Sequence, residues 1–137
     1  TYVFDEANER QRMFWQHEKN AQLAAFAAAK ICEPCGKVDD AARQYLAENG
    51  MGPEYQTPGC PHRTGHGIGL DIHEWPYLVG GNPTPLAAGM CFSNEPMLVI
   101  PDEFGIRLED HFYMTDEGPR WFTEPAHSID DPFGLTK

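Results

Sequence analysis

The sequence is poor in basic residues, and this scarcity excludes several classes of function. Its 137 residues include 10 Lys and Arg against 21 Asp and Glu, which gives a formal net charge of −11 at pH 7. Nucleic acids and anionic membrane surfaces are bound by clusters of positive charge, so neither partner is expected. No apolar run approaches the roughly 18 residues that cross a bilayer, and the first ten residues are too polar for a signal peptide. We therefore expect a soluble cytoplasmic protein.

Cysteine is scarce as well. Cys32 and Cys35 form a single CxxC motif, and no second pair follows among the four cysteines of the chain. A four-thiolate zinc site needs two such pairs and is therefore excluded. The CxxC is either a redox pair or two incidental thiols, and we favour the second interpretation because a lone motif is a weak signal. Reduced thiols are expected in the absence of a secretion signal.

Two helices are predicted in the first third of the chain. Residues 6–30 contain neither Gly nor Pro and are rich in alanine, a strong helix former. A second helix is predicted over residues 39–48, because acidic residues stand at its start and Asn49-Gly50 closes it. In the first helix, a shared face at helical spacing is expected to be buried, namely Leu23, Phe26, Ala27 and Ile31.

The second half of the chain has a different texture, with frequent Gly and Pro and short runs of β-branched and aromatic residues. These runs predict strands over residues 90–95, 97–100 and 106–114, and a short strand over residues 121–123. Helices followed by a β-rich half indicate an α+β fold, in which two helices pack on a mostly antiparallel curved sheet.

The densest group of chemically active side chains lies in residues 62–74, which read HRTGHGIGLDIHE. The segment contains His62, His66 and His73, with glycines that let the backbone approach a ligand closely. Imidazole is the commonest side-chain ligand of metal ions and a proton shuttle near neutral pH. A lone histidine is usually a surface or core residue, but three around a glycine-rich turn favour a functional site.

Two carboxylates follow in strand-like surroundings, Glu95 in SNEP and Glu109 in GIRLED. Each has apolar neighbours, where an unpaired charge would be costly. Strand alternation predicts that Arg107 and Glu109 point to the same face and Asp110 to the other. Such a cation is either a plain ion-pair partner or a group that holds a metal ligand in place. One histidine with two carboxylates suits a divalent ion such as Mn, Co or Zn.

Taken in order, HRTGHGIGLDIHE, NEP and GIRLED resemble the second half of the catalytic domain of the metallopeptidase family M24, which has the pita-bread (creatinase) fold. The likeness spans nearly the whole chain and is strongest to Xaa-Pro dipeptidases (prolidases) and aminopeptidase P. In that branch a histidine stands four positions before the ligand histidine, as His62 stands before His66. The resemblance implies hydrolysis of Xaa-Pro bonds in short proline-containing peptides, with two divalent metal ions (Mn, Co or Zn) as cofactors.

The resemblance also implies roles for the matching residues. Besides binding metal, Glu95 would take up and return the proton of the attacking water, and Glu109 would bridge two metal ions. His62 and His73 would bind substrate and stabilise the tetrahedral intermediate, while Arg107 would orient the acidic site. The implied metal ligands are His66, Glu95 and Glu109.

One departure from the family pattern concerns its two aspartate ligands, which come from strands before the first long helix. Here that helix follows soon after Thr1, no initiator Met is present, and Asp5 is in the wrong place to be a ligand. We therefore expect residues 1–137 to be the C-terminal portion of a catalytic domain, without its N-terminal domain and first metal-ligand strands. Such a chain is expected to bind metal weakly or not at all, to be inactive alone, and to form a homodimer through surface that the missing part would cover.

Other interpretations stay open. The chain is alternatively a catalytically dead module that binds peptides. It is also compatible with a metal-free C–N hydrolase of the creatinase type, in which His62 or His73 acts as acid and base. A structural acidic domain with incidental histidines is the least favoured, because several site-type residues converge in the pattern.

Overall fold

The computed structural model describes residues 1–135, and its first regular element is helix α1, Glu9–Ala28. The helix begins at a capping box, in which the Asn8 side chain accepts from the Gln11 amide and the Gln11 side chain accepts from the Asn8 amide. These bonds satisfy amides that a helix start leaves unpaired. Helix α2, Gly36–Glu48, follows after a short turn. Both predicted helices are therefore present, α1 with shorter bounds and α2 with an earlier start.

The predicted buried face of α1 is correct only in part. Leu23 is 42% exposed and Ala27 is exposed, whereas Phe26 and Ile31 are half-buried and pack against the core. The face that the helix turns toward α2 and the strands includes two polar residues, Glu18 and Gln22, that find hydrogen-bond partners on the strand side. Apolar periodicity does not mark a buried face that carries polar side chains. Its buried residues are Phe14, Trp15, Glu18, Lys19, Ala21, Gln22 and Ala25.

Seven strands follow the helices in the described part of the chain. Five of them form one antiparallel sheet in the order β2-β1-β3-β6-β7, and β4 and β5 form a separate antiparallel pair. The strands are β1 Gly65–Gly67, β2 Glu74–Leu78, β3 Cys91–Asn94, β4 Met97–Ile100, β5 Phe104–Arg107, β6 Asp110–Thr115 and β7 Gly118–Trp121. The predicted α+β architecture of two helices and a mostly antiparallel sheet is confirmed.

The prediction of one continuous strand over residues 106–114 is wrong. Arg107 pairs with Met97 in the small sheet, while Asp110 pairs with Asn94 in the large one. The chain therefore crosses between the sheets at Leu108 and Glu109, and strand alternation does not relate Arg107 to Glu109.

The core lies between the helices and the large sheet. Phe92 and Phe112, from neighbouring strands, are fully buried and stack with ring centroids 5.5 Å apart. Burial of such aromatic rings supplies much of the driving force of folding. Within residues 1–135, no helix combines the length and apolar character required to cross a membrane.

Candidate functional site

Both candidate carboxylates lie where the chain passes from one sheet to the other. Glu95 follows the last residue of β3 and leads into β4, and Glu109 precedes the first residue of β6. Because Asn94 and Asp110 are cross-strand partners, these two crossings lie at the same end of the large sheet. His66 lies on β1, which pairs with β3 in that sheet.

His66 and Glu95 are in direct contact. The Nε2 atom of His66 is 2.9 Å from Glu95 Oε1, and both side chains are largely buried. The Nδ1 atom of His66 donates to the Gly67 carbonyl at 3.0 Å, so its proton is committed there. The Nε2 lone pair then faces a carboxylate oxygen, so the contact is stable with a proton shared between the two atoms or with a metal ion bound beside both of them.

The Ser93 side chain contacts both residues of this pair. Its hydroxyl lies 3.1 Å from Glu95 Oε1 and 3.0 Å from the His66 amide, which donates to it. β1 and β3 approach so closely here that a Cβ added to Gly65 would lie 2.1 Å from the Ser93 carbonyl oxygen. The glycine in the motif is therefore required for the close approach of two strands.

Arg107 joins Glu95 to His62. Its Nη1 lies 3.4 Å from Glu95 Oε2, and its Nη2 donates to His62 Nε2 at 2.8 Å. Since a guanidinium only donates, His62 Nε2 is an acceptor, and the His62 Nδ1 proton goes to the Arg63 carbonyl. His62 thus offers no free N–H in this arrangement.

His73 stands beside His66, with ring centroids 4.2 Å apart. It shares the lining of a cavity of about 260 Å³ with Glu95, Arg107 and His62. Four of the residues singled out in the sequence therefore meet around one small cavity. The structure brings together His66, Glu95, Arg107, His62 and His73.

Glu109 lies apart from this group. It shares with His66 the lining of a neighbouring, mainly apolar cavity of about 460 Å³. Its Oε1 is 3.7 Å from His111 Nε2, and both side chains are nearly half exposed. Over residues 1–135, no three His, Cys, Asp or Glu side chains are close enough to form a metal site. The contact partner of Glu109 in this arrangement is therefore His111.

A buried ion pair on α2 anchors the segment that carries His62. Asp39 accepts from Arg43 Nε at 2.7 Å and from the Thr64 amide and the Gly80 amide at 2.8 and 2.9 Å. Arg43 also donates to the His62 carbonyl at 2.6 Å. Burial is the largest single influence and acts to lower the pKa of Arg43, but the hydrogen bond to Asp39 and the nearby negative charge, chiefly that of Asp39, together outweigh it and raise the pKa. The segment that enters β1 is thus bound to α2 on both sides of Arg63.

The CxxC motif takes no part in this site. Cys35 is fully buried at the start of α2, and burial raises the pKa of its thiol to about 11. Cys32 is exposed, and neither cysteine is in a disulfide. A high thiol pKa disfavours the thiolate that redox chemistry needs, which supports the interpretation of incidental thiols.

Sequence reasoning missed Ser93 and the Asp39–Arg43 pair. Ser93 stands two residues before Glu95, a spacing that places alternate residues of an extended segment on one side. Asp39 and Arg43 are four residues apart on a helix, the spacing of an intrahelical ion pair. Both signals are common in surface segments, so neither points to a site without knowledge of burial.

Comparison with known proteins relates this arrangement to a family. Residues 1–116 match the model of metallopeptidase family M24. A Xaa-Pro dipeptidase from Lactobacillus delbrueckii subsp. lactis is 36% identical over 129 residues, which are 94% of this chain and 34% of that protein. The chain thus spans about a third of the length of the curated relatives it matches.

Solved structures agree with the sequence match. Dipeptidase PepE from Mycobacterium ulcerans has a TM-score of 0.83 and 38% identity, covering 93% of this chain and 33% of that one. The prolidase from Pyrococcus furiosus has a TM-score of 0.80 and 35% identity, covering 89% of this chain and 35% of that one. The predicted resemblance is confirmed, and the partial pita-bread architecture with it. The chain belongs to metallopeptidase family M24.

Proposed function

We propose that this chain supplies part of the active site of a metal-dependent peptidase that cleaves Xaa-Pro bonds in short proline-containing peptides. The observation that carries the proposal is the contact between His66 Nε2 and Glu95 Oε1, a nitrogen lone pair and a carboxylate oxygen that can bind the same cation. Relatives named Xaa-Pro dipeptidase and prolidase support the choice of bond. In the proposed site His66, Glu95 and Glu109 bind divalent metal.

The side chains fit a divalent cation in part. The imidazole of His66 has its tautomer fixed by the Gly67 carbonyl, which is the usual condition of a metal-ligating histidine. Glu95 brings a carboxylate to the same point, and nitrogen with oxygen donors suits Mn, Co or Zn. Two donors are fewer than these ions take from proteins, so Glu109 and further residues of a complete peptidase domain are proposed to complete the site.

A bound pair of divalent ions would lower the pKa of a water molecule and polarise the peptide carbonyl. Side chains of this chain would transfer protons and bind the substrate. Glu95 can accept a proton at Oε2, which lies 3.4 Å from Arg107 Nη1. His73 lines the same cavity as Glu95, and within residues 1–135 its ring has no hydrogen bond that would prevent it from donating to substrate. His62 can donate to substrate from Nε2 only after that atom gains a proton and its contact with Arg107 is broken.

Substrate would enter beside His66. The larger cavity is lined mainly by apolar groups, including Ile68, Ile72 and Phe122. A proline ring is an apolar group without an N–H, so apolar packing is the recognition that it allows. This cavity supports the proposed choice of proline-containing peptides as substrates.

The predicted homodimer and cytoplasmic location remain proposals. Leu70 is fully exposed, Ile72 is 77% exposed and Trp75 is 62% exposed, and all three lie in the segment that connects β1 to the start of β2. Exposed apolar groups of this size are typical of protein contact surfaces. Light scattering that finds only monomer at high protein concentration would count against the dimer.

The proposal is tested by titrating the chain with Mn²⁺ in a calorimeter. Wild-type chain is expected to bind Mn²⁺ weakly, and Glu95→Gln and His66→Ala are expected to abolish binding. Equal binding by wild type and both variants would contradict the proposed ligands. Chain mixed with Mn²⁺ and glycyl-proline is expected to release no proline. A peptidase domain with all of its metal ligands is expected to release proline, and to lose that activity with a chelator.

The same assays separate the alternatives. A dead peptide-binding module would leave the complete domain unable to cleave glycyl-proline although it binds the peptide. A creatinase-like hydrolase would keep its activity after the chelator treatment.

A further inference from the structure

Helix α1 carries a row of buried polar side chains, Glu18, Lys19 and Gln22. Glu18 and Gln22 are one helical turn apart, on the same face, and neither side chain is exposed to solvent. Lys19, between them, is also buried and donates to Gln22 Oε1 at 3.3 Å. Buried polar groups cost free energy unless they are hydrogen-bonded, and apolar residues at these positions would pack without that cost. The partners of this row therefore decide what it does.

Gln22 connects the two strands that lead to the candidate carboxylates. Its Nε2 donates to Asp110 Oδ2 at 2.8 Å and to the Asn94 carbonyl at 3.3 Å. Asn94 Nδ2 donates in return to the Gln22 carbonyl at 2.9 Å. Asn94 is the last residue of β3, and Asp110 is the first residue of β6, its cross-strand partner. One helical residue thus binds the last pair of the β3–β6 ladder.

Glu18 binds Leu108, the residue before Glu109 where the chain crosses between the two sheets. Its Oε1 accepts from the Leu108 amide at 3.3 Å. No hydrogen-bond partner of its Oε2 is found in the part of the chain that is described. Burial raises the pKa of this carboxyl well above its ordinary value, and the Leu108 amide and Arg107 oppose the rise only partly. A neutral Glu18 can therefore remain in contact with the Leu108 peptide.

The contacts of the row flank both candidate metal ligands. Glu95 directly follows Asn94, and Glu109 lies between Leu108 and Asp110. Resting on the proposed function, we propose that Glu18 and Gln22 are positioning residues that set the separation between the Glu95 and Glu109 backbones. Neither side chain touches the site, so both act through the peptides that carry the two carboxylates. Residues that orient metal ligands in this way affect metal affinity about 10- to 100-fold.

Local amide exchange tests the inference without metal. In Gln22→Leu and Glu18→Leu, exchange of the Glu95 and Leu108 amides is expected to rise about 10-fold or more relative to amides of α2, because buried polar partners are lost. Glu18→Gln keeps an oxygen that can accept from Leu108, and is expected to restore the wild-type pattern. Gln44→Leu is the matched control, since the Gln44 side chain donates to Glu48 on the exposed side of α2.

A purely structural role would give a different result. If Gln22→Leu raised exchange equally at all protected amides, or changed none of them, the inference would be wrong. In the Mn²⁺ titration, Gln22→Leu is expected to lower affinity about 10-fold and Gln44→Leu to leave it unchanged. Should wild type bind no Mn²⁺, the exchange pattern alone decides the inference, and the proposed function is decided by the assay of the complete peptidase domain. If Glu95→Gln abolishes Mn²⁺ binding and Gln22→Leu does not weaken it, the inference fails alone.

Discussion

Replacement of Arg43 by methionine tests the anchor beneath the histidine segment. Its guanidinium donates to Asp39 at 2.7 Å, to the His62 carbonyl at 2.6 Å, to the Cys60 carbonyl at 3.0 Å and to the Glu54 carbonyl at 2.6 Å. Its Cζ also lies 4.0 Å from the centre of the Tyr55 ring. Methionine has a similar length and fills the space, but it replaces none of these bonds.

The loss of unfolding free energy in Arg43→Met depends mainly on the buried Asp39 carboxylate, which the substitution leaves without its cation. The Asp39 side chain is 1% exposed and would lose its charged partner. Removing one member of a buried ion pair typically costs about 3–5 kcal/mol. Asp39 keeps its bonds to Thr64 and Gly80, and water can reach the Glu54 carbonyl, so the lower end is expected, about 3 kcal/mol. A domain of this size would then melt about 10 °C lower.

Urea unfolding followed by circular dichroism measures this difference. Arg120→Met is the matched control, because Arg120 forms an exposed ion pair with Glu117 and its loss is expected to cost less than about 1 kcal/mol. Equal unfolding free energies for the two variants would refute the assignment of Arg43 as an anchor. Arg43→Lys is expected to fall between wild type and Arg43→Met, since one ammonium cannot reach four acceptors in the fork geometry.

Three further predictions concern other elements. Because burial raises the Glu18 pKa, the unfolded chain loses this proton first as pH rises above about 4.5, so native stability falls with pH. Glu18→Gln is therefore expected to gain stability over wild type as pH rises above about 5, and an unfolding difference that is constant with pH would contradict this. Gly65→Ala is expected to lower the free energy of unfolding by about 3 kcal/mol, because the new methyl group would push β1 away from β3. Gly105→Ala is expected to cost almost nothing, because its Cβ would lie 3.6 Å from the Leu98 carbonyl oxygen, an ordinary contact distance. Thermal melts of the two variants measure the difference. A thiol reagent is expected to modify exposed Cys32 much faster than buried Cys35, and similar rates by mass spectrometry would disprove the burial argument.

The sequence pattern predicted the elements better than their faces. Alanine content and the absence of Gly and Pro sufficed for α1, because helix propensity is a local property. Its buried face was predicted only in part because Glu18 and Gln22 are polar, and only their partners on distant strands make burial possible. Strands β1 and β2 were not predicted, since their residues are rich in glycine and proline and pair through close backbone contact.

The candidate site was predicted in part for a similar reason. The histidines and Glu95 were found because their residue types and spacing resemble a family motif. Strand alternation was expected to place Arg107 and Glu109 on the same face, but it does not apply because the run of residues 106–114 passes from one sheet to the other. Such a crossing depends on pairing with β3 and β4, which no local pattern in that run shows.

We propose that His66 and Glu95 are held together to bind a divalent cation. Crystals of the chain soaked in Mn²⁺, with anomalous scattering recorded near the manganese edge, test it most directly. An anomalous peak bonded to His66 Nε2 and to a Glu95 carboxylate oxygen is the predicted result. A map at saturating Mn²⁺ in which these two atoms remain in direct contact, with no peak between or beside them, would contradict it.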